Sequence, residues 1–137
     1  MRDVAYIALG SNLGNRDQHL AVARDAIGRL PDTTLLAVTP PEETEPIGPP
    51  GQGRYLNQMV AIETELDPHT LLAELQAIEQ RAGRVRAERW GARTLDIDIV
   101  KFARQSVADD ALVVPHPALP DREFWRRELD LLARSVL

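Results

Sequence analysis

Apolar side chains recur along this chain in two rhythms, one of two residues and one of three to four, and the switches between them mark out its elements. Val4-Ala5-Tyr6-Ile7-Ala8-Leu9 is almost continuously apolar and rich in strand formers, which predicts a central strand covered on both faces. Gly10-Ser11-Asn12-Leu13-Gly14-Asn15 follows with turn formers at nearly every place and reads as a strand-to-helix turn. It lacks the Gly-Lys-Ser/Thr ending of a P-loop, so its glycines say little about nucleotides. Leu20, Ala23, Ile27 and Leu30 then recur at helical spacing and predict a helix from Arg16 to Arg29, stopped by Pro31.

Thr33 to Val38 is predicted as a second strand and Tyr55 to Thr64 as a third, with Leu56, Gln58, Val60 and Ile62 on one face and Tyr55, Asn57, Met59 and Ala61 on the other. Asp67 and Pro68 open a second helix as N-cap and first residue, Leu71, Leu75, Ile78 and Ala82 form its buried stripe, and Gly83 ends it. Gln76 and Glu79 share one edge of that helix and are expected to face solvent unless they flank a site. From Thr94 onward Leu95, Ile97 and Ile99 alternate with Asp96, Asp98 and Val100, a fourth strand. Asp121 to Leu137 looks like a capped amphipathic helix anchored by Phe124, Leu129, Leu131 and Leu132. Strand, helix, strand, strand, helix, strand specifies an α+β fold: a ferredoxin-like antiparallel sheet, βαββαβ, with two helices on one face, followed here by a C-terminal helix.

Three stretches stand apart from this frame. Thr39 to Gly53 carries Pro40, Pro41, Pro46, Pro49 and Pro50 together with Gly48, Gly51 and Gly53, a composition expected to exclude a regular ladder. Its length favours a binding loop or lid over a disordered hairpin tip. Arg84, Arg86, Arg89 and Arg93, around Trp90-Gly91, come directly before Asp96 and Asp98. On a strand the two aspartates share a face with Cα atoms roughly 6.5 Å apart, close enough to hold hard divalent cations whose shells phosphate oxygens would complete. Guanidinium forks match phosphate oxygens bidentately. Each feature alone is common on solvated surfaces; in succession they read as polyphosphate chemistry. His116, between Pro115 and Pro117, is expected on a stiff, exposed turn, where it serves either structure or a phosphate. Tyr55 offers a stacking surface and Asn57 a donor and acceptor at once, or both are structural.

Composition narrows the classes. The 137 residues make one domain, with 44% hydrophobic and 27% charged residues, a globular balance. With no cysteine, disulfides, thiol catalysis and cysteine-held zinc are excluded. A formal charge of −5 argues against a general nucleic-acid binder, while the locally basic stretch before Asp96 suits a small anionic ligand. The chain enters its first strand directly after Met1-Arg2-Asp3, with no visible signal peptide and no apolar stretch of membrane length, so a cytoplasmic address without a membrane partner is expected; a monomer is taken as the default assembly.

Taken together, Ala-Leu-Gly-Ser-Asn-Leu-Gly-Asn at 8–15, Thr-Glu-Pro-Ile-Gly at 44–48, Tyr-Leu-Asn at 55–57, Gly-Arg-Val-Arg at 83–86, Glu-Arg-Trp-Gly-Ala-Arg-Thr-Leu-Asp-Ile-Asp-Ile at 88–99 and Val-Pro-His-Pro at 114–117 resemble the 6-hydroxymethyl-7,8-dihydropterin pyrophosphokinase family of the folate pathway. The resemblance implies transfer of pyrophosphate from ATP to the pterin hydroxymethyl oxygen, with AMP released. It implies Asp96 and Asp98 as ligands of two Mg²⁺ ions, and Arg84 and Arg93 as catalytic arginines beside these acids. Tyr55 and Phe124 would sandwich the pterin, with Asn57, Thr44, Pro46, Ile47, Trp90 and Asp96 around it. Gln76, Glu79, Arg86, Arg89, Trp90, Ile99, His116 and Arg122 match places that contact ATP or lie against the site.

The chain departs from the family in a shorter arginine stretch, in Ala111 and Val113 where basic and hydroxyl residues are usual, and in a shortened end after Phe124. Two other classes fit the frame: a palm-type nucleotidyl transferase, and a non-catalytic ferredoxin-like ligand-binding module.

Overall fold

The structure is a computed structural model that describes residues 2–45, 53–82 and 94–135. Pro46, Ile47, Gly83, Arg84, Arg86, Arg89, Trp90 and Arg93, all singled out from the sequence, lie outside the described residues.

The strands are β1 (Asp3–Ser11), β2 (Thr33–Val38), β3 (Glu42–Thr44), β4 (Tyr55–Thr64) and β5 (Asp96–Phe102), with a two-stranded ribbon β6 (Val107–Ala108) and β7 (Val113–Val114). The helices are α1 (Arg16–Gly28), α2 (Pro68–Arg81) and α3 (Glu123–Ser135). The main sheet runs β2-β4-β1-β5, with β3 added beside β4, and each of its pairings is antiparallel. Leaving β3 aside, this is the strand order of the expected ferredoxin-like sheet.

Side-chain alternation assigns the two faces. Ile7, Leu9, Leu56, Val60, Ile62, Ile97 and Ile99 point to α1 and α2 and bury Leu20, Ile27, Leu71, Leu75 and Ile78 beneath them. Tyr6, Ala8, Met59, Ala61 and Val100 point the other way and pack on Trp125 and Leu132 of α3. The continuously apolar β1 is therefore covered on both sides, as its composition requires.

Local chemistry sets the helix ends. Asn15 caps α1 by accepting from the Gln18 N–H at 3.2 Å, and Asp67 caps α2 by accepting from Thr70. Those Thr70 bonds hold the Asp67 carboxyl below the ordinary range. Pro68 stands at the start of α2, where a missing N–H costs nothing.

Three expectations give way. Strand β1 continues through Gly10 and Ser11, because both pair with Asn57 and Leu56 of β4 and the sheet overrides their turn preference. Within the proline-rich run, Glu42, Glu43 and Thr44 do form a ladder with Asn57, Leu56 and Tyr55, since they lie between Pro41 and Pro46 and keep all their N–H groups. Helix α3 buries Trp125, Glu128 and Leu132, while Leu131 is 49% exposed. Positions three and seven beyond Trp125 share its stripe and position six does not; Phe124 and Leu129 flank that stripe. The ribbon β6–β7 was outside the expectation because two-residue strands carry no period; its turn is held by the Asp109 carboxylate accepting from the N–H groups of Ala111 and Leu112.

Candidate active site

Antiparallel register places Gly10 of β1 between Asn57 of β4 and Asp96 of β5, and Ala8, two residues back, opposite Asp98. Paired residues share a face, so Asn57, Asp96 and Asp98 all project on the α3 side of the sheet. Thr44 pairs with Tyr55 and joins them there.

Gly10 is the floor of this arrangement. A Cβ at this position would lie 3.3 Å from Asn57 Oδ1 and 3.4 Å from Tyr55 Cδ1, so the missing side chain lets both groups settle onto the sheet.

Each polar group is aimed by a neighbour. The Tyr55 hydroxyl donates to Asp96 Oδ2 at 3.3 Å. The Asn57 amide donates to Thr44 Oγ1 at 2.6 Å, which turns its carbonyl oxygen toward Gly10 and fixes the amide's sense. Below the sheet, the Glu79 carboxylate accepts the Ile97 N–H at 2.7 Å and is only 5% exposed. Glu79 was expected to face solvent unless it flanked a site; it does flank the aspartates, from behind, as the support of the residue between them on the opposite face of the sheet. Gln76 stays on the exposed side of α2, and the Ile99 side chain is in the core under α1 and α2, so neither side chain joins the aspartates.

His116 is also placed differently from its exposed expectation. Val100 is skipped where the β1–β5 register shifts, and its carbonyl accepts the His116 N–H at 2.8 Å. The ring is half-buried, edge-on to Trp125 at 5.0 Å between centroids. Its Nδ1 accepts the Ala118 N–H at 3.0 Å, so a neutral ring carries its proton on Nε2, which points to Asp98 Oδ1 at 3.7 Å.

Trp125 gathers the rest. It is 2% exposed, stands edge-to-face with Phe124 at 6.3 Å, and has the Arg122 guanidinium 4.3 Å above its ring. One buried aromatic thus braces His116, Phe124 and Arg122 together.

The clamp on the preceding segment comes from the β1–α1 turn. Arg16 pairs with Glu43 at 2.6 Å and donates to the Arg54 carbonyl at 2.9 Å, and Asn12 donates to the Gly53 carbonyl at 3.3 Å. These bonds join β3 to the start of β4, beside Thr44 and Tyr55.

The chain's likeness to known proteins covers this whole arrangement. The family described as 7,8-dihydro-6-hydroxymethylpterin-pyrophosphokinase matches residues 6–134. The chain belongs to this family. The 2-amino-4-hydroxy-6-hydroxymethyldihydropteridine pyrophosphokinase of Pseudomonas aeruginosa is 47% identical over 119 residues, 87% of this chain and 74% of that protein. Those of Haemophilus influenzae and Bacillus subtilis are 45% and 42% identical, over 88% and 99% of this chain and 75% and 81% of theirs.

Of the pyrophosphokinase residues expected from the sequence, the structure brings Thr44, Tyr55, Asn57, Asp96 and Asp98 onto one sheet face, and His116, Arg122 and Phe124 around Trp125 next to it. Sequence reasoning missed Gly10, Asn12, Arg16, Trp125 and Glu128. Trp125 carried a usable signal, since only 4% of residues are aromatic and it sits three places from Arg122; the partners of Arg16 and Glu128 carried none.

Proposed function

We propose that this pyrophosphokinase of folate biosynthesis transfers the terminal pyrophosphoryl group of ATP to the hydroxymethyl oxygen of 6-hydroxymethyl-7,8-dihydropterin. The hydroxyl oxygen bonds to the β-phosphorus, the bond from that phosphorus to the bridging oxygen of the α-phosphate breaks, and AMP leaves with that oxygen. The hydroxyl proton passes to the Asp96 carboxylate. The observation that carries the reading is the sharing of one face by Asp96, Asp98, Tyr55 and Asn57, with His116 against Asp98.

Tyr55 and Phe124 supply aromatic faces for the pterin, and Asn57, aimed by Thr44, meets its polar edge. His116 and Arg122, braced on Trp125, take phosphate oxygens together with Arg84 and Arg93. Phosphoryl transfer needs in-line alignment and neutralised charge more than covalent participation, which suits a site of forks and carboxylates.

The donor set fits Mg²⁺. Asp96 and Asp98 are hard oxygen donors on alternate positions of β5, and among the described residues no third acidic, histidine or cysteine side chain completes a metal cluster with them. A pair of carboxylates that leaves the shell to phosphate oxygens is the Mg²⁺ pattern. Two Mg²⁺ ions held by Asp96 and Asp98 would neutralise phosphate charge and orient the transferring group.

No helix among the described residues is long and apolar enough to cross a membrane, and the chain is proposed to work in the cytoplasm as a monomer. The assay is incubation with Mg²⁺, ATP and 6-hydroxymethyl-7,8-dihydropterin followed by identification of the nucleotide product. AMP formed only with both pterin and metal present is the expected result. Pyrophosphate release would point to a nucleotidyl transferase, and no turnover to a binding module.

A further inference from the structure

Glu128 is 3% exposed in the middle of α3, and among the described residues neither of its carboxyl oxygens has a hydrogen-bond donor. Among the described residues two charged groups act on it, Glu42 of β3 and Arg127 of α3. From the sheet below, β4 and β2 present Met59, Ala61 and Ala37, none of which titrates. Arg127 is already committed, donating to Glu42 Oε1 at 3.1 Å.

Two ionised carboxylates are acceptors only, so their contact leaves both oxygens of Glu128 unsatisfied in a dry place, which is costly. One proton removes the conflict, because the acid form of Glu128 donates to the Glu42 carboxylate that Arg127 holds from its other side.

We infer that Glu128 works in its acid form as a positioning residue, tying α3, which carries Phe124, to β3, which carries Thr44. Glu42 pairs with Asn57, and Asn57 donates to Thr44, so the tie ends on the polar edge of the site. The inference rests on the reading of Thr44, Asn57 and Phe124 as pterin contacts. Burial first, then the negative charge of Glu42 and the hydrogen bond that the acid form donates to it, push the Glu128 carboxyl up to about 8, against a weaker pull from Arg127. The tie is therefore made at neutral pH and released as the pH rises past that value.

The test has two arms. In the first, pterin binding is measured at pH 7 and pH 9 with Mg²⁺ and α,β-methylene ATP, for the wild type and for E128Q, whose amide donates at every pH. Relative to E128Q, the wild type should bind up to about tenfold more weakly at pH 9 than at pH 7, as the competent fraction falls; parallel profiles for the two proteins overturn the inference. In the second, the carboxyl ¹³C resonances of the wild type are titrated. Glu128 should titrate near 8 with the Glu42–Thr44 amides following the same curve; titration in the ordinary carboxylate range, or amides that ignore it, overturns the tie whether or not E128Q folds. If the second arm succeeds and neither protein binds pterin, the tie stands and the substrate reading fails.

Discussion

The Tyr55 hydroxyl and the Asp96 carboxylate meet at 3.3 Å across the sheet, joining two groups that β4 and β5 hold on either side of Gly10. In the proposed reaction this bond lets one side chain serve two ends, its ring facing the pterin and its hydroxyl steadying the acid proposed to lie beside the phosphates.

Tyr55→Phe keeps the ring and removes that bond. A hydrogen bond of this kind contributes about 1 kcal/mol, so kcat should fall about fivefold while KM for the pterin changes little. Steady-state kinetics decide it: a raised KM with unchanged kcat would mean that the hydroxyl serves binding instead.

Asp98→Asn removes one charge from the proposed metal pair and leaves His116 Nε2 without its carboxylate at 3.7 Å. Losing a preorganised electrostatic group commonly costs on the order of 100-fold in kcat, and that loss is expected here together with a higher Mg²⁺ requirement. Isothermal titration with Mg²⁺ and an ATP analogue should show the weaker metal response; an unchanged response would remove Asp98 from the ligand set.

Gly10→Ala puts a methyl 3.3 Å from Asn57 Oδ1 and 3.4 Å from Tyr55 Cδ1, tighter than either neighbour accepts at rest. The strand pairing is untouched, so stability should drop by only about 1 kcal/mol. Pterin KM should rise several-fold while KM for ATP holds. Equal rises in both would show a general distortion of β1.

The buried carboxyl of Glu128 makes stability depend on pH. Its value is raised from an ordinary 4.5 to about 8, so between these two the folded chain holds a proton that the unfolded chain has released. Stability from this group is fully present below pH 4.5, declines by up to about 1.4 kcal/mol per pH unit on the way to pH 8, and is level above that. Urea unfolding of the wild type and Glu128→Gln across this range should show the wild-type curve falling relative to the variant. A constant difference between them would place Glu128 outside the titrating groups.

Much of the architecture was legible from local rules. The period of Tyr55 to Thr64 told which side chains share a face, and Asp67-Pro68 announced the start of α2, because backbone geometry fixes those relations within a few residues. Asp96 and Asp98 could be placed on one face for the same reason. Glu79 could not be placed by its helix position, because its burial depends on the Ile97 N–H of another element. Likewise β3 escaped detection because three residues carry no measurable period, and only the pairing with β4 makes them a strand.

The sequence by itself determined the order of the long elements, the two faces of the long strands and, through its motifs, the family. Only the tertiary structure decided that Tyr55 reaches Asp96, that His116 leans on Trp125 toward Asp98, and that Glu128 is buried against Glu42. The physical reason is range: periodicity reports which way a side chain leaves its own backbone, whereas the identity of the group it meets is set by strand register and helix packing between positions far apart in the chain.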